Sequence, residues 1–379
     1  MENTNKKTIE HFRVCRSIWH FLGAFSLNAR KYGNFFTVFH IFAGFLLPLS
    51  LLRAIGSFGT PMENITNFCM AVTSVSTSLK FLCYMAKMDT LEQLERILGQ
   101  LDARVNGSQQ GICLWQMVKQ NRILCNLYLV IYITLTIFTE ISVCLRSGRS
   151  LIFPGWFPLD WSESVVNYSL ALTFQCVGIF IQIMENMVDD LFPPLALNLI
   201  AGQCELLALR ISVIGHNKND DQRANEKELI NCIRDQEKLY RLFKLTMEII
   251  SWPMLIQFIV IAIDFGTSMF TLIFYAKTPQ DRFFFTFFLI GLNCEIFPVC
   301  YIGANVDFQF DRLHYAIFCS NWINQSRQYR QNALVLAERT KKRPLLLAGH
   351  MVPIHLTTFM ANCKAAYSIF TLIGDAGNK

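Results

Sequence analysis

The sequence predicts an all-α integral membrane protein with seven transmembrane helices, a cytosolic N-terminus and an extracellular C-terminus. The chain has 379 residues, of which 53% are hydrophobic and only 16% are charged. Soluble domains are about 45–50% apolar and about 25% charged. Two further observations support the prediction: long uncharged segments recur along the chain, and the basic residues fall almost entirely into alternate loops.

The uncharged segments are long enough to cross a bilayer. A spanning helix needs about 20 mostly apolar residues, because its backbone polar groups have to pair within the helix. Each predicted span carries at most one charged residue, and the spans are residues 35–52, 68–86, 123–145, 165–184, 249–276, 283–306 and 344–373.

The loops give the orientation, because basic residues are retained on the cytosolic side. The N-terminal segment and the loops after spans two, four and six hold 26 basic residues, and the other loops and the C-terminal tail hold five. Residues 1–34 are therefore predicted to be cytosolic, which is the reverse of the arrangement in G-protein-coupled receptors. The outer loops lack cysteine, and a bridge between Cys69 and Cys144 near the outer span ends stays open.

The cytosolic loops show helical periodicity. Leu91, Leu94 and Leu98 recur at helical spacing, as do Leu229, Leu239 and Phe243 further along. Apolar residues also continue past span four to residue 214, which predicts a helix that leaves the bilayer, with a bend at Pro193-Pro194. These helices are expected to form a bundle that contacts other subunits; the alternative is helices that lie on the membrane surface.

Outside the bilayer, residues 146–161 combine two prolines and two tryptophans, which favours an ordered turn at the membrane interface. This turn is either part of an aromatic belt or a lid over a cavity. Asn64, in the Asn-Ile-Thr sequon of another outer loop, is a candidate for glycosylation.

Charged residues within the spans are costly and are candidates for function. Lys80, Glu140 and Glu185 lie near span ends, so we expect them to extend toward the interface. Asp264 and Glu295 are more central, and either bridge helices, contact a ligand or couple transport. The sequence has no nucleotide-binding loop, zinc motif or nucleophile elbow, so we predict no enzyme activity, cofactor, metal or nucleic-acid binding.

The C-terminal third carries specific motifs. They are YIGAN at 301–305, YRQNALVL at 329–336, RPLLLAG at 343–349, VPIHLTTF at 352–359 and KAAYSIFTLI at 364–373. This order of motifs, with its closing Tyr-Ser-x-Phe-Thr-Leu pattern, closely resembles the insect odorant receptor family. The outer loop around Trp156 is also similar to that family.

The resemblance implies an odorant-binding subunit of a heteromeric, ligand-gated, non-selective cation channel in olfactory sensory neurons. It would form a heterotetramer with a co-receptor subunit in the dendritic plasma membrane. Its other partners would be small, volatile, apolar odorants and the surrounding membrane lipids. Residues 35–306 would hold the ligand pocket, 307–343 the cytosolic subunit contacts, and 344–379 the pore-lining helix and outer tail. The alternatives are signalling through a G protein, a gustatory-type receptor channel and a secondary transporter.

The family account also assigns candidate residues. The ligand-binding candidates in the outer half are Val72, Thr73, Ile137, Phe138, Tyr168, Leu172, Phe265, Phe284 and Phe287. The pore candidates are Tyr367, Ser368, Thr371 and Ile373. Lys364 in the same helix would repel cations, so we expect it to point into its own subunit or to pair with a carboxylate.

The distribution of basic residues yields a direct test of topology. An epitope added after Lys379 should be stained by antibody on intact cells, whereas one added before Met1 should be stained only after permeabilisation. The reverse staining pattern would overturn the orientation.

Overall fold

A computed structural model describes residues 12–23, 42–144, 148–216 and 221–377. Within these ranges the chain is helical apart from short loops and one hairpin. In chain order the elements are α1 (Arg13–Phe21), a π-helical turn (Phe42–Leu46), α2 (Leu47–Arg53), α3 (Pro61–Met85), α4 (Met88–Asp102), α5 (Ser108–Cys144), α6 (Val165–Ser212), α7 (Gln222–Phe274), α8 (Pro279–Cys319), α9 (Arg327–Lys341), β1 (Leu347–Ala348), β2 (Val352–Pro353) and α10 (Leu356–Gly377).

Four helices in the described part of the chain are long and apolar enough to cross a membrane: Pro61–Met85, Val165–Ser212, Gln222–Phe274 and Asp281–Cys319. A shorter apolar helix covers Gly44–Arg53. These helices confirm the predicted all-α membrane class. The count of seven spans stays a prediction.

Local chemistry sets where the helices begin. Proline occupies the first position of α3 and of α8, where its missing N–H breaks no helical hydrogen bond. The hydroxyl of Thr60 accepts a hydrogen bond from the backbone N–H of Glu63 at the start of α3 (3.3 Å). At the start of α8, Thr278 and Asp281 form a reciprocal capping box.

Two helices are much longer than a bilayer is thick. The α6 helix has 48 residues and α7 has 53; at 1.5 Å per residue they extend about 72 and 80 Å, against a hydrocarbon core of about 30 Å. The prediction that span four continues as a helix is confirmed, with Pro193 and Pro194 inside it. The predicted amphipathic segment at Leu229–Phe243 is likewise continuous with span five in α7.

The predicted bundle is also confirmed. In α4, Leu91, Leu94 and Leu98 are buried, and the second half of α6 is buried on all sides. The short α1 packs onto this bundle through Trp19, whose ring centroid lies 5.2 Å from that of Phe192 in α6. Burial from all sides explains why this part of α6 reads as a continuous apolar run rather than as a stripe.

Ionic contacts join the bundle helices away from the spans. Asp235 of α7 accepts hydrogen bonds from Arg210 of α6 (2.6 Å) and from Arg104 after α4 (3.0 Å). Nearby, the amide of Gln203 donates to the Asp102 carboxyl (2.7 Å). Burial raises the pKa of Asp102 to about 7, although the Gln203 hydrogen bond opposes the shift. Ionisation of Asp102 above that pH therefore weakens the packing of α4 against α6.

The segment before α10 differs from the prediction. Span seven is predicted from residue 344, but the helix begins at Leu356, because residues 344–355 form a hairpin in which Leu347 pairs with Pro353. Gly349 and His350 both have positive φ at its turn (55° and 59°), a conformation that ends a helix and favours glycine.

The hairpin lies tightly against α7 and α8. The hydroxyl of Ser251 in α7 donates to the Leu347 carbonyl (2.7 Å), and the N–H of Gly349 donates to the Ser251 carbonyl (2.8 Å). On the other side, a Cβ added at Gly303 in α8 would lie 2.1 Å from the carbonyl oxygen of Ile354. Glycine at 303 is therefore required by the backbone that leads into α10.

Gly303→Ala should destabilise the protein, by about 1–3 kcal/mol for an overpacked site. Gly291→Ala is the matched control, because Gly291 lies in the same helix with nothing within 4 Å of its Cβ position. Alanine is favoured over glycine in a helix by about 0.5–1 kcal/mol, so the control should be neutral or stabilising. Thermal unfolding followed by fluorescence-detected size exclusion measures both; equal melting temperatures would contradict the close contact.

Candidate functional site

Helices α3 and α7 are antiparallel and are joined by polar pairs along their length. The pairs recur at intervals of about one or two turns along α3, which places them on one face of the helix. They are Cys69–Thr267 (3.2 Å), Thr73–Asp264 (2.9 Å), Lys80–Gln257 (2.5 Å) and Lys87–Glu248 (2.7 Å). Cys69 is a free thiol, so the bridge to Cys144 that the sequence left open does not form.

Lys80 is the centre of the buried part of this arrangement. Only 2% of its side chain is exposed. Its ammonium group donates to the carboxylate of Asp190 (2.9 Å) and the amide oxygen of Asn186 (2.8 Å), both in α6. Its third donor goes to Gln257 of α7. All three ammonium hydrogens therefore have acceptors, which is the condition for holding a charge in an apolar interior.

Two more helices are attached to the same cluster. The Tyr132 hydroxyl of α5 donates to the second carboxylate oxygen of Asp190 (2.5 Å) and accepts from the amide of Asn186 (2.9 Å). The amide of Gln257 donates to the carboxylate of Glu295 in α8 (3.0 Å). The Lys80 cluster, defined as Lys80, Tyr132, Asn186, Asp190, Gln257 and Glu295, thus joins α3, α5, α6, α7 and α8.

This finding corrects the expectation that Lys80 and Glu185 extend toward the interface. Both are buried, at 2% and 1% exposure. Lys80 stays inside because α6 and α7 supply three oxygen acceptors, which sequence distance alone did not reveal. The central carboxylates do bridge helices, as one of the predicted alternatives stated: Glu295 joins α8 to α7, and Asp264 joins α7 to α3.

The nine predicted ligand residues are spread over α3, α5, α6, α7 and α8. Thr73 contacts Asp264, whose side chain is 1% exposed. Phe265 packs against the main core and Leu172 against a second small core around Leu47. The hydroxyl of Tyr168 donates to the Ser150 carbonyl of the outer loop (3.0 Å).

The remaining candidates lie on α3, α5 and α8. Val72 is half-buried, Ile137 and Phe287 are exposed, and Phe284 stacks on Phe288 with ring centroids 6.3 Å apart. The side chain of Phe138 lies outside the described residues. None of the nine lines either of the two cavities described below, so their grouping into one pocket stays a prediction.

The outer loop is held in place by buried amides. Gln175 of α6 accepts from the N–H of Ile152 (2.9 Å) and donates to the carbonyl of Phe153 (2.8 Å). Asn67 of α3 donates to the carbonyl of Pro154 (2.7 Å). Trp156 donates its backbone N–H to the carbonyl of Ser50 in α2 (3.0 Å). The loop is therefore ordered, as predicted, and it is attached to three helices.

Two cavities adjoin this loop. The first, of about 350 Å³, is lined by Leu46, Leu49, Ser50, Trp156, Phe157, Pro158, Leu159, Leu170, Ala171 and Phe174. The second, of about 220 Å³, is lined by Ala54, Ser57, Phe58, Gly155, Trp156, Phe157, Leu159, Asp160 and Trp161. A lid was one of two sequence-based interpretations of this loop, the other being an aromatic belt. The contributions of α2 and of Leu170, Ala171 and Phe174 in α6 were missed, because exposed apolar residues there look like ordinary lipid-facing positions.

At the other end of the same loop system, Asn64 closes the turn before α3. Its amide donates to the carbonyls of Phe58 (2.7 Å) and Thr60 (3.1 Å), and its oxygen accepts from the N–H of Phe58 (3.1 Å). The side chain thus has a structural role, and its glycosylation stays a prediction.

Helix α10 packs against α7 and α8 and leaves another face uncovered. The amide of Asn362 donates to the carbonyl of Phe258 in α7 (3.2 Å). Met360, Lys364, Tyr367 and Ser368 are exposed, with Tyr367 at 59%. Lys364 is thus exposed rather than turned into its own subunit, and the alternative expectation, pairing with a carboxylate, stays a prediction. The side chains of Thr371 and Ile373 lie outside the described residues.

Comparison with known proteins decides the family. Residues 60–367 match the family model described as 7tm odorant receptor. The chain belongs to this odorant receptor family. Odorant receptor 23a of Drosophila melanogaster is 42% identical, over 97% of this chain and 96% of that protein. Odorant receptor 59a of the same species is 32% identical, over 98% of this chain and 99% of that protein.

The fold of the receptor is also similar to that of a solved structure. The olfactory receptor OR5 from Machilis hrabei, in complex with eugenol, superposes with a TM-score of 0.79, covers 98% of this chain and 100% of its own, and is 14% identical. The match confirms the fold. Membership of the odorant receptor family favours this class over the gustatory-type alternative, and it identifies the protein as a multi-pass membrane receptor rather than a member of an enzyme family.

The Lys80 cluster generates a prediction about stability. Lys80→Met leaves the Asp190 carboxylate buried without its cation, a type of change that costs about 3–5 kcal/mol. Lys87→Met is the matched control: it lies seven residues further along the same helix, and its partner Glu248 is also in α7, but the pair is 37% and 44% exposed. Exposed pairs contribute about 0–1 kcal/mol.

The measurement is the yield and melting temperature of the detergent-solubilised receptor. Lys80→Met should lower both strongly, Lys87→Met should change neither by much, and adding Asp190→Asn to Lys80→Met should recover part of the loss. Equal behaviour of the two lysine variants would contradict a central role for the cluster.

Proposed function

We propose that this receptor is the odorant-binding subunit of a heteromeric, ligand-gated, non-selective cation channel in the dendritic membrane of olfactory sensory neurons. Its partner would be a co-receptor subunit, in a heterotetramer. Family membership supports odorant recognition, and the uncovered face of α10 supports the channel, because a pore helix needs one face packed on its own subunit and one face free. This α10 arrangement carries the proposal.

Seven spans with a cytosolic N-terminus complete the proposed topology. The distribution of basic residues supports it, and the bundle formed by α4, α9 and the ends of α6, α7 and α8 would then lie in the cytosol. Residues 307–343 are proposed to make subunit contacts there. Tyr315, Ile323, Leu334 and Val335 are large, apolar and more than half exposed in this region, which is typical of a surface that another chain covers.

The ligand would bind in the outer half, among the nine candidate residues. Small volatile odorants are mostly apolar, and a pocket of aliphatic and aromatic side chains with few polar groups suits them. Thr73 and its partner Asp264 would supply the polar group that orients the ligand. Both lie on the face of α3 and α7 that continues into the Lys80 cluster.

Helix α7 would transmit binding to the pore. Asp264 lies on the pocket side, Gln257 two turns away belongs to the Lys80 cluster, and the carbonyl of the next residue, Phe258, contacts α10 through Asn362. A ligand that shifts α7 relative to α3 would therefore shift the helix that lines the pore. Tyr367, Ser368, Thr371 and Ile373 would form the pore wall, with an apolar ring that closes it by excluding water.

The test separates pocket from pore. Phe287→Ala should weaken odorants unequally, by about 5- to 150-fold for a loss of about 1–3 kcal/mol, and leave ion selectivity unchanged. Tyr367→Ala should change basal current or relative ion permeability and leave the ranking of odorants unchanged. The measurement is whole-cell current in cells that co-express the co-receptor, with a dose–response series and bi-ionic potentials.

Phe180→Ala is the control, since it removes a similarly exposed phenyl ring (40% against 44% for Phe287) that lies outside the proposed pocket, pore and subunit-contact residues. It should leave both properties intact. Robust current from this chain alone, or a current abolished by blocking G-protein turnover, would contradict the proposed heteromeric channel. If Phe287→Ala changed only selectivity, the two sites would be wrongly assigned.

A further inference from the structure

The two cavities beside the outer loop form one surface with an apolar end and a charged end. They share Trp156, Phe157 and Leu159, so they adjoin at these side chains. The larger cavity is open on the side where Leu46, Leu49 and Leu170 are exposed, which is the lipid-facing side of α2 and α6. We call this pair of cavities the outer groove.

The larger cavity has an almost entirely apolar lining. Its polar side-chain groups are the Trp156 indole N–H and the Ser50 hydroxyl, which already donates to the carbonyl of Leu47 (3.0 Å). The Ser50 carbonyl accepts from the backbone N–H of Trp156 (3.0 Å). A hydrocarbon chain suits this lining, because a polar atom buried here would find few partners.

The charged end lies beside the smaller cavity. The guanidinium of Arg53, one turn beyond Leu49, lies 5.1 Å from the centroid of the Trp156 ring. No carboxylate of the described residues lies within ion-pair distance of Arg53, so its N–H donors are available. Asp160 and Trp161 line the smaller cavity together with Trp156. Hydrogen bonds from Ser162 lower the pKa of Asp160, which keeps this carboxylate charged.

We infer that the outer groove binds one zwitterionic phospholipid, with an acyl chain in the larger cavity and its head group between Arg53 and Asp160. The phosphate would accept hydrogen bonds from Arg53, and the ammonium would lie against Asp160 and the indole faces of Trp156 and Trp161. The inference rests on the proposed topology in one respect: that topology makes the outer leaflet the source of the bound phospholipid.

Lipid in the groove would also support the outer loop. The loop is anchored on its inner side by Gln175 and Asn67, while Trp156 and Leu159 remain exposed on the membrane side. An acyl chain would cover those side chains without competing with the odorant candidates, none of which lines the groove.

The test uses the purified receptor–co-receptor complex in nanodiscs that contain a phosphatidylcholine probe with a photoreactive group at the end of one acyl chain. After illumination, labelled peptides are identified by mass spectrometry. Labelling should concentrate on residues 46–53 and 156–174. Nanodiscs expose both leaflets, so the labelling does not depend on the orientation of the chain in cells. Absence of labelling in the groove would contradict the lipid site, whereas a wrong orientation would leave the labelling unchanged.

Two variants block the two ends of the groove. Ala171→Phe fills the apolar cavity and should lower labelling several-fold, whereas Val130→Phe introduces the same side chain at an exposed position on α5 and should not. Arg53→Gln should lower labelling by about two- to fivefold, as expected for one exposed ionic contact. Lys277→Gln, which removes an exposed cation from a different outer loop, is its control. If Ala171→Phe does not fold, the Arg53 and head-group arms still decide.

The head-group arm compares three probes with the same chains. Phosphatidylcholine should label best, phosphatidylglycerol less because it lacks the ammonium, and a trimethylammonium-propane lipid least because it lacks the phosphate. Asp160→Asn should remove the preference for phosphatidylcholine over phosphatidylglycerol. Three results would overturn the inference. One is uniform labelling of the whole lipid-facing surface, and another is displacement of the label by odorant at its effective concentration. The third is cross-links from the groove to the co-receptor in place of lipid.

Discussion

The buried ammonium group of Lys80 is the constraint on which the arrangement of the spans depends. A charge in the bilayer interior is tolerated only with a full set of partners, and here the partners come from α6 and α7. Asp190 and Gln257 are fixed in turn by Tyr132 and Glu295. In a solvent where apolar surfaces do not drive helices together, such contacts specify which helices are neighbours and in which register.

The same constraint explains the ladder between α3 and α7. Once Lys80 faces Gln257, two antiparallel helices bring into contact residues at similar distances on opposite sides of this pair. Thr73 and Asp264 each lie seven positions from it, and Lys87 and Glu248 lie seven and nine positions from it in the other direction. The cluster therefore fixes the register of α7 against α3 on both sides.

Several features were predictable because they depend on local pattern alone. Hydropathy located α3, α6, α7 and α8, and periodicity located the amphipathic α4 and the first half of α7. The fate of Lys80 was not predictable, since its acceptors lie more than 100 residues away in sequence. The hairpin before α10 was missed because its apolar residues read as a span, while the turn depends on positive φ at Gly349 and His350.

In the candidate site, too, some features follow from local sequence pattern and others depend on contacts between distant helices. Sequence motifs identified the family, because they recur along one continuous segment, and the pore helix that they imply stays a prediction. A ligand cavity is formed by residues from several helices, and its lining is decided by rotations of each helix that hydropathy does not fix. The outer groove shows the consequence: Leu170 and Phe174 became notable only when Gln175 was seen to hold the outer loop beside them. A single buried amide thus determines whether an exposed leucine faces uniform lipid or lines a binding surface.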